Sequence, residues 1–379
     1  MHAEMNFGEI FAMKKRNYGI DLLRLVSMFY VIMLHVLGQG GVLSGHLSSA
    51  HFFTAWFLET AAYCAVDCFG IISGYVGYRE DNTRLRISHY LTIWLQVVFY
   101  GILLTIIFSF LLSGEVGLTK YIKACMPVTL NLHWYFTAYT GLVFMIPILN
   151  AAVQEMESSR LKKLTIINIL IFSALSTFWI SVSGDIFYLK GGYTFVWLLF
   201  LYFLGAAMKK TGLFSSMKRN TGIALIVILI LFSELWSMYG LNIPVLGKLT
   251  GRFNLIAYVS PTILCIAIIH VILFTDMKLS QRMIQIVKFA GPGAFAVYLL
   301  NTQHYAWQYL KDRFVFLCDA PLYQLIFVTI GFSALFVILS VSIDKLRQLL
   351  FKTLHIGDLA KKVEERFDNL LDRILIILQ

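Results

Sequence analysis

Long apolar runs recur along the chain, and the shorter segments between them are richer in charged side chains. Ten runs lie near residues 19–38, 52–76, 88–112, 132–150, 164–183, 193–208, 221–240, 254–274, 289–310 and 320–342. A helix of about 20 apolar residues is long enough to cross the ~30 Å hydrocarbon core of a bilayer. The pattern therefore predicts an all-α polytopic membrane bundle of about ten transmembrane helices.

Composition agrees with that pattern and excludes an ordinary soluble domain. Of the 379 residues, 59% are hydrophobic and 14% are charged, whereas roughly 25% of the residues in a soluble domain are charged. The net charge of +10 fits basic cytoplasmic loops and contact with anionic membrane lipids. It therefore does not indicate a nucleic-acid partner.

The distribution of basic residues predicts the orientation of the bundle. If the N-terminus is cytoplasmic, the inner segments hold more than twice as many Lys and Arg residues as the outer loops. Because cytoplasmic loops carry such an excess, we expect both termini to be cytoplasmic. We divide the chain into a cytoplasmic N-terminal segment (1–18), a transmembrane bundle (19–343) and a cytoplasmic tail (344–379).

The tail shifts to charged composition with apolar residues at helical spacing, namely Leu359, Val363, Leu370 and Ile374. This pattern is typical of an amphipathic helix on the inner membrane surface. A solvated terminal helix would show the same pattern. The five cysteines show neither a disulfide pattern nor a metal-binding one, so we expect them to pack structurally and predict no bound metal.

Two ionisable residues, Arg24 and His35, lie inside the first apolar run. Eleven residues at 100° each make three full turns plus about 20°, so both side chains project from one face, about 16 Å apart along the axis. Ionisable groups in a bilayer are costly, and they usually face a bundle interior or a wet cavity. Arg24 and His35 are therefore the leading candidates for a functional site.

Other ionisable residues are predicted at similar depths. Asp21 lies three residues before Arg24, and Asp67 lies at a comparable inner depth, so both are candidate counter-ions for Arg24. Four residues are predicted near the outer surface at the level of His35: Glu59, His133, Glu234 and His304. A histidine beside a carboxylate is suited to general base catalysis, because the acid fixes the tautomer and raises the basicity of the imidazole.

At this point the sequence resembles a known family. The stretch "NYGIDLLRLVSMFYVIMLHVLGQGG" is similar to the first helix of the integral-membrane acyltransferase 3 family, whose signature is Arg, ten residues, then His. Four further pieces follow in the family's order: "CFGIISGYVGYR", "HWYFTAYTGLVFMIPILN", "LYFLGAAM" and "FAVYLLNTQHYAW". The resemblance spans roughly residues 17–310. Trp134 and Asn301 lie in these pieces and are therefore supporting candidates for the site. Many members have a histidine directly after "YLI", where this chain has Asn301, with His304 three residues on.

The resemblance implies transfer of an acyl group, commonly acetyl from cytoplasmic acetyl-CoA, to a sugar hydroxyl of a cell-envelope glycan. His35 would be the general base or carry the acyl group itself, and Arg24 would position the donor. The loop "YREDNTRLR" supplies Arg79, Arg84 and Arg86 as candidates for binding CoA phosphates. CoA is then a substrate and no cofactor is permanently bound. The implied location is a cell membrane, the plasma or inner membrane of a bacterium.

Two other classes of protein are consistent with parts of the sequence. A transporter or flippase would use Arg24, His35 and Asp67 as a substrate or proton relay, although paired inverted halves are not visible in the sequence. A membrane scaffold or sensor would use the tail to bind a partner, and replacing His35 would leave its function intact.

Overall fold

The computed structural model describes residues 16–79, 85–111 and 117–378, and within these ranges every regular element is helical. The α-helices are α1 (Tyr18–Leu37), α2 (Ser49–Ala62), α3 (Ala65–Gly77), α4 (Ile87–Leu111), α5 (Leu118–Ala124), α6 (Trp134–Glu155), α7 (Ser158–Ile169), α8 (Ser176–Phe178), α9 (Ile180–Ser183), α10 (Phe195–Thr211), α11 (Arg219–Tyr239), α12 (Leu246–Leu249), α13 (Pro261–Thr275), α14 (Gln281–Ala290), α15 (Ala294–Thr302), α16 (His304–Leu310), α17 (Leu322–Thr353) and α18 (Ile356–Leu378). The all-α prediction is confirmed.

The described residues contain eight helical stretches that are long and apolar enough to cross a membrane. They are Tyr18–Leu37, Ser49–Gly77, Ile87–Leu111, Trp134–Glu155, Ser158–Phe178, Arg219–Asn242, Gln281–Thr302 and Leu322–Thr353. Two further apolar runs of the sequence form the shorter helices α10, of 17 residues, and α13, of 15 residues. The chain is a multi-pass membrane protein, while the count of ten spans and the orientation stay predictions.

Helix α1 lies in the middle of the bundle. The side chain of Asn17 accepts a hydrogen bond from the backbone N–H of Ile20 and so caps its first turn. The helix then packs against α2, α3, α13, α15 and α17. Because neighbours surround it, apolar residues on most of its faces are buried, and its polar side chains can only reach other helices or internal cavities.

Helices α3 and α10 pack closely through glycines. A Cβ atom added to Gly74 would collide with the backbone carbonyl of Tyr202, and one added to Gly205 would collide with that of Ile71. Small residues allow helix backbones to approach each other in membranes, where van der Waals packing replaces the hydrophobic driving force. This contact fixes the position of α3, which lines both cavities described below.

A buried polar cluster joins α17 to α4. The Asp344 carboxylate accepts hydrogen bonds from Arg347 at 2.6 and 2.9 Å and from the Tyr100 hydroxyl at 2.7 Å. An ion pair buried at this depth is tolerated because its charges and lone pairs are satisfied. The cluster lies apart from the predicted site residues, and we assign it a structural role.

The tail forms a long helix, α18, which packs against α4 and α17. Its apolar residues Leu359, Val363, Leu370 and Ile374 are exposed on its surface. Helix α17 continues past residue 343 to Thr353 before the chain turns into α18. The location of α18 on the inner membrane surface and the division into domains stay predictions.

Candidate active site

A cavity of about 770 Å³ opens among the ends of several helices, and we call it the main cavity. Residues from α1, α2, α3, α6, α15 and α16 line it. Its ionisable lining residues are His35, Glu59, Lys120, Lys123, His133 and His304, together with tyrosines. A concave, largely aromatic and apolar cavity with a few polar groups is the usual form of a small-molecule site.

His35 lies near the C-terminal end of α1, with its ring partly exposed to the main cavity. Its Nδ1 is hydrogen-bonded to Oδ1 of Asn301 on α15. An amide oxygen only accepts hydrogen bonds, so Nδ1 carries a proton, and in the neutral imidazole Nε2 then keeps a free lone pair. The Trp307 ring lies edge-on to the imidazole, with 4.7 Å between ring centroids, and limits its rotation.

His133, the residue before α6, is held in the same tautomer. Its Nδ1 lies 2.9 Å from Oγ1 of Thr302. The Thr302 hydroxyl has one proton, which it donates to the backbone carbonyl of Tyr298 at 2.8 Å. His133 Nδ1 must therefore be the donor to Thr302, which leaves Nε2 of His133 as an acceptor.

The end of α15 thus organises both imidazoles, because the consecutive residues Asn301 and Thr302 each hold one of them. The helix ends there because the next residue, Gln303, turns out of helical geometry. The Gln303 side chain then caps α16 by accepting from the backbone N–H groups of Tyr305 and Ala306. This tight helix break gives the two histidines a common support.

The other candidates predicted near His35 or taken from the family pieces separate into two groups. Glu59, Trp134 and His304 line the main cavity together with the two histidines. Glu234 does not line it; its Oε1 accepts a hydrogen bond from the Thr60 hydroxyl at 2.7 Å, in the interface between α11 and α2.

A second cavity, of about 220 Å³, contains the cationic residues of the predicted site. Arg24, Arg79, Arg86 and His89 all line it, and no carboxylate of the described residues does. Guanidinium groups that converge on one cavity are suited to binding phosphate or carboxylate groups. Arg84, the third predicted phosphate ligand, lies outside the described residues.

The two cavities are neighbours along the same three helices. Residue pairs four apart divide between the main and the second cavity on each helix: Met28 and Arg24 on α1, Phe69 and Ser73 on α3, and Tyr135 and Tyr139 on α6. Four residues of α-helix advance about 6 Å. Only about one helical turn therefore separates the lining of one cavity from that of the other.

The counter-ion of Arg24 is Asp21, which is 4% exposed. Arg24 donates to Asp21 Oδ1 at 2.8 Å, and Arg16 donates to Oδ2 of the same carboxylate at 2.5 Å. The expectation that Asp67 also serves Arg24 is wrong, because Asp67 accepts a hydrogen bond from the Trp197 indole at 2.9 Å and lines neither cavity. Its depth matched that of Arg24, but its side chain points to α10.

Several lining residues were not found from the sequence. Trp307 and Thr302 both lie in the family piece "FAVYLLNTQHYAW", so the resemblance could have pointed to them. Tyr193 and Tyr258 lie in separate loops outside these pieces, and no sequence pattern pointed to them. No group of three or more metal-binding side chains occurs within the part of the chain that the structure describes.

The geometry defines a class: a polytopic helical membrane protein with an imidazole-bearing internal cavity beside a cationic one. A family model described as an acyltransferase domain, that of the acyltransferase 3 family, matches residues 17–345. Because the match covers most of the chain, the protein belongs to this family and is a membrane acyltransferase. The comparisons with curated proteins and with solved structures gave no match.

Proposed function

We propose that this protein transfers an acetyl group from cytoplasmic acetyl-CoA to a hydroxyl group of a cell-envelope or exported glycan, in the plasma membrane of a bacterium. His35 is the general base of the transfer. Arg24, Arg79 and Arg86 bind the donor, and CoA leaves as product, so no cofactor is retained.

The observation that carries this proposal is the tautomer of His35. Oδ1 of Asn301 accepts the hydrogen bond from Nδ1–H of His35, so the opposite nitrogen, Nε2, is available as a base. An imidazole with a fixed orientation and a lone pair on Nε2, in a largely apolar cavity, is suited to hydroxyl activation near neutral pH.

In the proposed step, His35 accounts for the proton that leaves the acceptor and for the proton that CoA takes up. Nε2 of His35 takes the proton of the acceptor hydroxyl as its oxygen attacks the thioester carbonyl. The C–S bond then breaks, and the CoA sulfur leaves with the proton that the imidazolium returns. In the alternative course, Nε2 attacks the thioester carbonyl, the C–S bond breaks and CoA leaves as the thiolate. The acceptor hydroxyl then attacks the acyl-imidazole, which releases Nε2, and the hydroxyl proton passes to the CoA thiolate. The two courses differ in whether an acylated protein accumulates without an acceptor.

The second cavity supports a role for its arginines in donor binding. CoA carries several phosphate groups, and Arg79, Arg86 and Arg24 offer planar guanidinium groups that match phosphate oxygens. Because about one helical turn separates the two linings, the acyl arm would have a short distance to cover toward His35, near Tyr135 and Tyr139. In the predicted orientation this route runs from the cytoplasmic side outward.

The transporter alternative receives less support. It requires Arg24, His35 and Asp67 to act as one relay, and Asp67 is bonded to Trp197 away from both cavities. A transporter would also leave its substrate chemically unchanged, so an acylated product distinguishes the two functions.

The test is acyl transfer itself. Surface glycan from cells with and without the protein is compared by mass spectrometry, and purified protein in lipid nanodiscs is given acetyl-CoA labelled in the acetyl group together with the same glycan. We expect a mass increase of one acetyl unit and label in the glycan. Glycan of equal mass from both cells, with no label transferred by the purified protein, would refute the proposed reaction.

A further inference from the structure

One wall of the main cavity has no part in the reaction described above. Glu59 lies on α2, and its side chain lines the cavity although the residue is only 6% exposed. Among the described residues, none hydrogen-bonds its Oε2. A buried carboxyl oxygen without a partner costs free energy, so its presence in a cavity points to a ligand that supplies hydrogen-bond donors.

Aromatic side chains continue this wall from Glu59. Tyr63 lies four residues after Glu59, on the same side of the chain, and its ring centroid lies 4.7 Å from that of Tyr258. Tyr258 lies 5.0 Å from Tyr193, and Tyr193 lies 4.8 Å from Trp134. All four rings line the main cavity, and we call them the aromatic row.

The aromatic row is built from segments far apart in sequence. Trp134 begins α6, Tyr193 and Tyr258 lie in the loops before α10 and α13, and Tyr63 lies between α2 and α3. Four loops and helix ends that converge on one wall form a continuous surface of ring faces and edges beside one acid. Such a surface suits a ligand that has apolar faces and a rim of hydroxyl groups.

We infer that Glu59 and the aromatic row form the acceptor subsite and bind an uncharged pyranose ring. The C–H face of the sugar packs on the aromatic rings, and its hydroxyl groups donate hydrogen bonds to the carboxyl oxygens of Glu59. The inference rests on the proposed function for the link between sugar binding and acyl transfer. Glu59 is a binding residue in this scheme, and His35 remains the base.

The volume and the position of the cavity agree with this assignment. About 770 Å³ lies within the range of cavities that enclose small molecules, and it leaves room for an acyl group beside a sugar ring. His35 and His133 line the same cavity as Glu59, so a ring held on the aromatic row lies in the compartment that contains both imidazoles.

The test measures sugar binding without catalysis. Protein in lipid nanodiscs, free of sugar-based detergent, is titrated with methyl glycosides of glucose, galactose, N-acetylglucosamine and rhamnose, and binding is followed by saturation-transfer NMR. Cyclohexanol is the probe that has a ring without the polyol rim. We expect the wild-type protein to bind at least one glycoside and not cyclohexanol.

Three variants locate the site. Glu59→Gln keeps the size of the side chain but replaces one carboxyl oxygen with an NH2 group that only donates, so an acceptor for the sugar hydroxyl groups is lost and the Kd should rise about tenfold. Tyr193→Leu, at a half-exposed position that tolerates change, should weaken binding several-fold. Glu234→Gln is the matched control, since Glu234 is buried but faces Thr60, and its Kd should equal that of the wild type.

Binding and transfer can fail separately. Wild-type protein that binds no glycoside, or Glu59→Gln protein that binds as tightly as the wild type, overturns the subsite whether or not acyl transfer occurs. Protein that shows the expected binding pattern but transfers no acetyl group to any glycan keeps the subsite and refutes the proposed function. In active protein, Glu59→Gln should raise the KM for the acceptor and leave that for acetyl-CoA unchanged.

Discussion

The main and second cavities share helices α1, α3 and α6, but they offer different chemistry. Among the described residues, the main cavity presents aromatic rings, one carboxyl group, two lysines and three imidazoles, two of which have Nδ1 hydrogen-bonded to α15. The second cavity presents three arginines and His89. A change of one helical turn therefore separates groups suited to proton transfer from groups suited to anion binding. The difference supports the proposal that Arg24 and His35, though on one helix, serve different parts of the reaction.

The largest expected loss of acyl transfer comes from a substitution in the main cavity. His35→Ala removes the base, so acyl transfer should fall by about 10²–10⁴ in rate while the protein still folds and inserts. The measurement is acetylated glycan per correctly inserted protein. His46→Ala is the matched control, because His46 is an exposed histidine eleven residues further on that lines neither cavity. Wild-type turnover in His35→Ala protein would end its role as base.

Arg24 tests whether charge alone suffices in the second cavity. Arg24→Lys keeps the charge near Asp21 but loses the planar fork, so we expect stability close to that of the wild type and transfer reduced about tenfold or more. Arg24→Ala should be inactive and less stable. Because the Arg24 side chain is 32% exposed and Arg16 still contacts Asp21, the stability loss should be about 1 kcal/mol. Thermal unfolding beside the transfer assay separates the two effects, and a fully active Arg24→Lys would show that any cation suffices.

How far the sequence predicts this site depends on whether a feature is local. The relation between Arg24 and His35 follows from helical periodicity along one segment, so it could be read directly. The partner of His35 could not, because Asn301 lies 266 residues away. The resemblance makes Asn301 a supporting candidate at a position where the family often has histidine, but it does not name a partner, and the structure shows that this residue contacts His35.

The error at Asp67 has the same physical origin. Depth in the membrane follows from position along a helix, but the direction of a side chain depends on which helix packs against it. Glycine packing brings α10 against α3, and Trp197 thereby meets Asp67. The aromatic row assembles from four distant segments, so no local sequence pattern could predict it.

Asn301 sharpens the comparison, because it acts through His35 and not on the donor. Asn301→Leu removes the acceptor for Nδ1, the imidazole loses its fixed tautomer, and kcat should fall about tenfold, the equivalent of one hydrogen bond. The KM for acetyl-CoA should not change. Nitrogen NMR of labelled histidine should report a mixture of His35 tautomers in this variant. A single, unchanged tautomer would remove Asn301 from its positioning role.

The smallest effect concerns the mouth of the second cavity. Arg79→Gln and Arg86→Gln should each raise the KM for acetyl-CoA about three- to tenfold and change kcat little, because they remove binding that is the same in ground and transition states. Lys361→Gln together with Lys362→Gln on α18 is the control, since these cations line neither cavity. An unchanged KM in both arginine variants would exclude them from donor binding.

The central claim is that the donor lies across both cavities, with its phosphates among the arginines and its thioester beside His35. The most direct test is a cryo-electron microscopy structure of the His35→Ala protein in lipid nanodiscs with acetyl-CoA, in which slow transfer preserves the bound donor. We expect CoA phosphates within hydrogen-bonding distance of Arg79, Arg86 or Arg24, and the acetyl group in the main cavity next to position 35. Acetyl-CoA bound with its thioester away from the main cavity, or with its phosphates away from these arginines, would contradict it.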